Sequence, residues 1–317
     1  FLQRQQLPAA YIESAGHWFD PLALRLRDAA AVSARPLVVG VNGCQGSGKS
    51  TLCDYLAVRL KALEGCNAVA LSLDDVYLTR EERQCLAVDE HPLLATRGVP
   101  GTHDMPLLRR TLQALARVGR HRGGVGIDGG SEDASGGGSV AIPRFDKAAD
   151  DRAPIAQWDR ISQPVDIILL EGWCLGALPV SVIEPPLNAL EAADDPDGSW
   201  RRRINAVLAA DFLPLYRQID LWVMLRAPGM DCVYRWRLEQ ERKRALAGEG
   251  SDKGAGVMSE PELARFIQHY ERLTRHCLAT LPARVDVLYQ LDACRRIRSV
   301  AGDLHGPTRP GPEPARL

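Results

Sequence analysis

Apolar residues along this chain fall into two patterns: short unbroken runs, and longer stretches in which they recur every three or four residues. The runs at 37–41 (LVVGV), 68–73 (AVALSL), 140–145 (VAIPRF), 166–170 (DIILL), 219–225 (IDLWVML) and 285–291 (VDVLYQL) read as strands. The most apolar of them suit a sheet covered on both faces. Helical spacing predicts an element over 7–31, where Leu22, Leu24 and Leu26 lie on an Ala-rich background, and another over 50–62, marked by Leu52, Leu56 and Leu60. Further helices are predicted near 104–118, 201–217, 230–247 and 259–280. Pro21 after Asp20 suits a helix first turn, Pro36 ends that element, and Ser259 ahead of Glu260-Pro261-Glu262 reads as an N-cap. The spacers between runs are long enough for crossover helices, so the pattern predicts an α/β fold with a doubly wound, mostly parallel sheet flanked by helices.

Composition narrows the classes of partner. Lys and Arg number 39 against 40 Asp and Glu, a net charge of -1, so no global field draws the chain to nucleic acid or an anionic membrane. Any anion it binds must be held locally. No run reaches the 18 or so apolar residues of a membrane span, and residues from Phe1 onward lack the pattern of a secretory signal. The eight cysteines, at 44, 53, 66, 85, 174, 232, 277 and 294, contain no Cys-x-x-Cys pair, which argues for reduced thiols and a cytoplasmic setting. His91 and His103 have no third ligand at metal-binding spacing and read as polar loop residues, His103 with a possible reach to a substrate.

One local feature changes the picture. Between the run at 37–41 and the helix beginning at residue 50 stands GVNGCQGSGKST, within which Gly43 to Ser50 satisfy G-x-x-x-x-G-K-[ST]. A polyphosphate is held when several backbone N–H groups converge on it at a helix N-terminus, and glycines make that convergence sterically possible. The loop Gly43, Gln45, Gly46, Ser47, Gly48, Lys49, Ser50 and Thr51 is therefore the candidate nucleotide cradle. Lys49 is placed to reach the β- and γ-phosphates, and the Ser50 hydroxyl to ligate Mg²⁺. Chance alone yields such a string in roughly one chain of this length in a hundred, and the strand before it and helix after it lower that further. This motif specifies the fold class as a P-loop NTPase.

Phosphoryl transfer to a hydroxyl also needs a base, a carboxylate to organise the metal, and cations for the transferring group. In a parallel sheet these collect at the carboxyl edge. Asp74 and Asp75 follow the run at 68–73, and Glu171 follows DIILL. An Asp after a strand often caps a turn, so one of the pair is expected to cap and the other to act as base. Glu171 is the candidate metal organiser together with Ser50.

The blocks LSLDDVYLTREERQCLA, HPLLATRGVPGTHD, IPRFDKAADDRAP, IILLEGWCLGALP and CVYRWRLEQE, in this order between about residues 36 and 292, resemble the D-glycerate 3-kinase family of plants, fungi and bacteria. That family lies within the phosphoribulokinase, uridine kinase and pantothenate kinase group. The resemblance implies ATP as phosphoryl donor, Mg²⁺, and D-glycerate as acceptor. It puts Asp74 in the place of the catalytic base, in a D-x-x-Tyr setting completed by Tyr77, with Val76 where the family often has Phe. It implies that Glu171 is the acid of an EGW block and that Arg235 and Arg237 are lid arginines closing over the phosphates. Arg97, His103, Asp104, Arg144, Asp146 and Lys147 fall in acceptor-side blocks, with Asp75 beside them. A carboxylate is best met by a guanidinium fork, which makes Arg144 or Arg97 the candidate clamp.

The organisation expected is thus a helical extension over 1–35, a P-loop kinase domain over 36–300, and a disordered tail over 301–317. The Gly/Ser-rich stretch near 122–139 reads as a surface insertion, longer than the family suggests, and 247–257 leaves the lid length open. The alternatives are a kinase for a nucleoside or pantothenate-like acceptor, or a GTPase-type switch. The latter usually carries an Asn/Thr-Lys-x-Asp string after a strand, where this chain has RAPGMD. Oligomeric state is not encoded in any feature of the sequence.

Overall fold

The computed structural model describes residues 1–5, 7–63, 65–118, 138–248 and 258–304. Its centre is a six-stranded sheet: β1 (Leu37–Gly43), β2 (Ala68–Ser72), β3 (Ile167–Gly172), β4 (Leu221–Arg226), β5 (Val287–Leu291) and β6 (Ile297–Gly302), in the spatial order 6-5-4-1-3-2. All neighbours are parallel except β6, which returns antiparallel on β5. The runs predict the first five strands; β6, with its exposed and polar positions, carries no such signal.

Alternation along the strands divides the interior in two. Val39, Val41, Ile167 and Leu169 point to one face, where Leu22 and Leu26 of the helix Tyr11–Ala31 and Leu52, Leu56 and Leu60 of the helix Lys49–Ala62 cover them. Val38, Ile168 and Leu170 point to the other, under Leu108, Leu112 and Leu115 of Met105–Arg117 and Leu273 and Cys277 of Glu260–Thr280. A strand buried on both sides cannot alternate polar with apolar, which is why these segments read as continuous apolar runs. Among the described residues no helix is long and apolar enough to cross a membrane.

Several expectations are corrected. The segment 140–145 does not join the sheet: Val140–Ile142 pairs antiparallel with Asp159–Ile161, and Phe145–Asp146 with Asp151–Arg152. Pro143 has no N–H for a ladder and stops the first strand after three residues. Pro21 lies inside the helix Tyr11–Ala31, and Asp20, instead of capping, accepts from Tyr55 Oη at 2.7 Å and Arg59 Nε at 2.9 Å on the neighbouring helix. The helix expected over 201–217 is Ser199–Val207, followed by a π turn at Leu208–Phe212 and a last turn Leu213–Tyr216 that contains Pro214. Proline cannot donate back along the helix, and the wider turn accommodates the missing bond. The helix Arg80–Asp89 has no apolar periodicity to predict it, although Thr79 and Glu82 form a full capping box readable as T-x-x-E. Apart from Gly138 and Ser139, the glycine-rich stretch 122–139 lies outside the described residues. So does the expected tail beyond residue 304, whereas Ala301 and Gly302 close β6.

Candidate active site

The parallel register brings the chemistry to one edge. Val41 of β1 is level with Glu171 of β3, and Ser72 of β2 is level with the same Glu171, so the chain leaves all three strands together. From β1 it enters the phosphate loop. Gly48, with φ of 93°, is the residue from which the helix Lys49–Ala62 starts, a left-handed conformation that favours glycine. A Cβ on Gly46 would come within 2.8 Å of Trp236 Cβ, so this turn also needs a bare α-carbon. A cavity of about 830 Å³ opens over Gly46–Thr51, flanked by Trp18, Gln240 and Arg295, within the size range of ligand sites.

Lys49 is buried, its Nζ 3.6 Å from Glu171 Oε2, and Ser50 Oγ donates to Glu171 Oε1 at 2.6 Å. Burial alone would lower the Lys49 pKa, but the charges of Glu171 and Asp74 raise it, keeping the ammonium charged. Glu171 Oε2 is buried and has no hydrogen-bond partner among the described residues. An orphaned carboxylate oxygen next to a serine hydroxyl is a hard-oxygen donor set that fits Mg²⁺. Mg²⁺ in such sites is commonly held by one or two protein oxygens together with phosphate and water.

After β2 the chain makes a single 3-10 turn, Leu73–Asp75, capped by Ser72 Oγ accepting from Asp74 N at 3.1 Å. The turn separates the two aspartates. Asp74 faces a cavity of about 50 Å³ shared with Lys49, Tyr77, Arg97, Lys147 and Arg237. It accepts from Tyr77 Oη at 2.8 Å and from Lys147 Nζ at 2.9 Å. Burial would raise its pKa, but Lys147, Lys49 and these two hydrogen bonds hold the carboxyl well below the usual carboxylate range. Asp75 instead accepts from Arg144 Nη1 at 2.8 Å and Phe145 N at 3.4 Å, and its burial raises its pKa despite those partners. It ties the hairpin that carries Lys147 to the sheet edge.

Not every sequence candidate arrives here. Arg144 has Nη1 on Asp75 and both Nε and Nη2 on Asp159 Oδ2, so it braces the hairpin; it lines a second cavity of about 200 Å³, shared with Ser50, Asp74, Asp75, Lys147 and Glu171, and not the one that holds Arg237. Arg97 does line it: Asp150 holds Nη1, and Cζ lies 5.5 Å from the Phe145 ring centroid. Arg235 is exposed on the helix Met230–Gly248, bonded to its own helix through Asp231 O and Cys232 Sγ, whereas Arg237 faces the cavity with Cζ 5.4 Å from the Phe266 ring centroid. Asp104 caps Met105–Arg117 and pairs with Arg152, and Asp146 accepts from the Ala148 and Ala149 N–H groups. Gln45 lines the cavity, while Ser47 is buried under the loop.

His103 is buried against Tyr77, ring centroids 4.7 Å apart, and edge-on to Phe212. It backs the tyrosine that binds Asp74 and does not itself line the cavity. Neither ring nitrogen has a hydrogen-bond partner among the described residues, and burial pushes its pKa down to about 4 against the opposing charge of Asp74. A histidine depressed in the folded state contributes stability above its unfolded pKa of about 6.5 and loses it as pH falls toward 4. Between pH 7 and pH 5 this loss amounts to about 2 kcal/mol. His103→Phe, which keeps a flat ring beside Tyr77, should therefore flatten the fall in unfolding free energy over that interval. Denaturant unfolding at the two pH values checks this, and an unchanged fall would contradict it.

Sequence reasoning missed Asp150, Arg83, Phe266 and Tyr270. Arg83, 1% exposed, donates to the carbonyls of Leu78, Ala95 and Asp150 and pairs with the Asp150 carboxylate, which holds Arg97. Tyr270 Oη donates to Arg97 O at 2.8 Å. Phe266 and Tyr270 sit in the apolar stripe of Glu260–Thr280, which in sequence reads as ordinary core.

No protein-family model matches the chain. It is 33% identical over 262 residues to the uncharacterized kinase mug58 of Schizosaccharomyces pombe, covering 79% of this chain and 84% of that protein. It is 31% identical over 254 residues to the chloroplastic D-glycerate 3-kinase of Arabidopsis thaliana, covering 78% of this chain and 49% of that one. The chain belongs to the kinase family that these proteins share, which includes D-glycerate 3-kinase. A solved structure of D-glycerate 3-kinase from Cryptococcus neoformans superposes with a TM-score of 0.66 at 23% identity, covering 93% of this chain and all of that one, a likeness of fold. As a member of this family the chain is an ATP-dependent kinase of the P-loop type, acting on a small molecule with ATP and Mg²⁺. The chain spans about half the length of the Arabidopsis member.

Proposed function

We propose that this kinase transfers the γ-phosphoryl group of ATP to a hydroxyl of D-glycerate, giving 3-phosphoglycerate and ADP. The observation that carries the reading is the small cavity in which Asp74, Arg97 and Lys147 stand beside the phosphate-loop lysine. The wall combines four rings, Tyr77, Trp173, Phe266 and Tyr270, with five charged side chains, and the feature that favours an acid over a nucleoside is the placing of Arg97 and Lys147 beside Asp74. A three-carbon hydroxy acid suits it in sign.

In this scheme the acceptor O–H bond breaks with its proton passing to Asp74. The freed oxygen pair bonds to the γ-phosphorus, and the bond to the bridging oxygen of ADP breaks. Lys49 holds the β- and γ-phosphate oxygens, and Arg237 neutralises charge spread over the transferring group. Ser50 and Glu171 would hold Mg²⁺, which when bound adds electrophilic stabilisation of the phosphate oxygens. Arg97, steadied by Asp150 and Phe145, takes the acceptor's carboxylate. Eight free thiols support a reducing setting, for which we propose the cytoplasm.

Arg97→Lys tests the clamp. An ammonium cannot reproduce the guanidinium fork, and a hydrogen bond to a charged group is worth roughly 1.5–3 kcal/mol. The KM for D-glycerate should rise about ten- to a hundred-fold, with the KM for ATP little changed. Equal rises in both would remove Arg97 from acceptor recognition.

A further inference from the structure

The base in the acceptor cavity is already engaged. One oxygen of Asp74 accepts from Tyr77 Oη and the other from the Lys147 ammonium. A carboxylate neutralised by a cation is a poor acceptor for a hydroxyl proton. Something must release it before transfer.

The two donors differ in their freedom to leave. Tyr77 is 3% exposed, with its ring against His103 and edge-on to Phe145 at 5.3 Å. Lys147 is 43% exposed along its side chain and stands in the tight connection between Phe145–Asp146 and Asp151–Arg152. Its backbone is anchored: Asp146 Oδ1 accepts from the next two N–H groups, and the Lys147 carbonyl accepts from Arg97 Nη2 at 3.4 Å. A fixed backbone with a mobile four-carbon stem lets the ammonium swing while the loop stays in place.

The other cations around the cavity are committed differently. Lys49 is buried beside Glu171, Arg97 is held by Asp150, and Arg237 lies over the Phe266 ring and donates to Gln240 Oε1 at 3.4 Å. Lys147 is the cation whose present partner is the base itself. We propose that Lys147 is an exchangeable counter-ion, resting on Asp74 and passing to the carboxylate of the incoming acid, so that one event fixes the acceptor and frees the base. The proposal rests on the reading of this cavity as a hydroxy-acid site and gives it a selection rule. Lys147 trades one carboxylate for another and is paired throughout, while Asp74 gains the acceptor hydroxyl in place of the ammonium. A neutral triol of the same size offers no anion, so Lys147 stays on Asp74 and the hydroxyl meets a neutralised base. Discrimination against neutral acceptors then falls on turnover as well as on binding.

The test is steady-state kinetics with D-glycerate and with glycerol, in which a hydroxymethyl group replaces the carboxylate, on wild type, Lys147→Met and Lys147→Arg. Thermal unfolding and ATP binding establish that each variant is folded. The exchange predicts that Lys147→Met lowers kcat/KM for D-glycerate by about ten-fold or more, yet raises kcat for glycerol by about three-fold or more as the base is released. Lys147→Arg should retain the preference for the acid. Loss of both acceptors in proportion, or no gain with glycerol, overturns the exchange while leaving D-glycerate as the acceptor. Wild type that turns over another acceptor and not D-glycerate defeats the acceptor reading itself, and that result is read before any variant.

Discussion

Asp74→Asn is expected to lower kcat with D-glycerate by a factor of roughly 10²–10⁴, the span attributed to a positioned general base, with ATP binding and fold retained. The amide keeps the size of the side chain and can still accept from Tyr77 Oη, so the 3-10 turn capped by Ser72 should survive. Lys147 loses a charged partner, but at 43% exposure water can take over. What disappears is the group able to take the acceptor proton. Asp75→Asn should act otherwise, because Asp75 faces Arg144 and Phe145 N and holds the hairpin in place. Its loss should loosen the Lys147 loop and raise the acceptor KM more than it lowers kcat. Kinetics of both variants, with nucleotide binding measured by calorimetry, separate the roles. An Asp74→Asn enzyme within about three-fold of wild type would contradict the assignment, since a base that contributes typically 10² or more cannot be lost so cheaply.

How far the site is legible in sequence depends on what places each residue. The phosphate loop, Asp74 and Glu171 are legible because they sit at the ends of strands whose runs are unmistakable, and parallel register alone brings strand ends together. Residues placed by long-range pairing are not. Arg144 and Arg97 look alike as loop arginines, and only the fold puts Asp75 and Asp159 around one and leaves the other lining the cavity. Arg235 and Arg237 carry a clue that helix geometry supplies: residues two apart on a helix point to well-separated directions, so one of them at most can close over the phosphates. The hairpin that carries Lys147 is built from strands of two residues each, too short for an alternation signal. Phe266 and Tyr270 are hidden for a different reason. Their spacing is that of a core stripe, and a helix packed under the site presents core and site lining with the same apolar periodicity. The T-x-x-E before Arg80–Asp89 shows the opposite case, a readable cap whose helix lacks a wide apolar face to announce it.

The largest effect expected is in acceptor choice, and it bears directly on the central claim. Lys49, Ser50, Asp74 and Glu171 would serve any hydroxyl acceptor, so the claim that separates a hydroxy-acid kinase from one for a nucleoside or a pantothenate-like acceptor rests on Arg97 and Lys147 beside Asp74. Arg97 and Lys147 offer two cations beside Asp74, which an acid can use and a neutral acceptor cannot. Incubating the enzyme with ATP, Mg²⁺ and an equimolar mixture of D-glycerate, uridine and pantothenate, and following new phosphomonoesters by ³¹P NMR, addresses this in one sample. The account predicts a single product resonance, matching 3-phosphoglycerate and growing in step with ADP; a uridine or pantothenate phosphate with D-glycerate left untouched would contradict it.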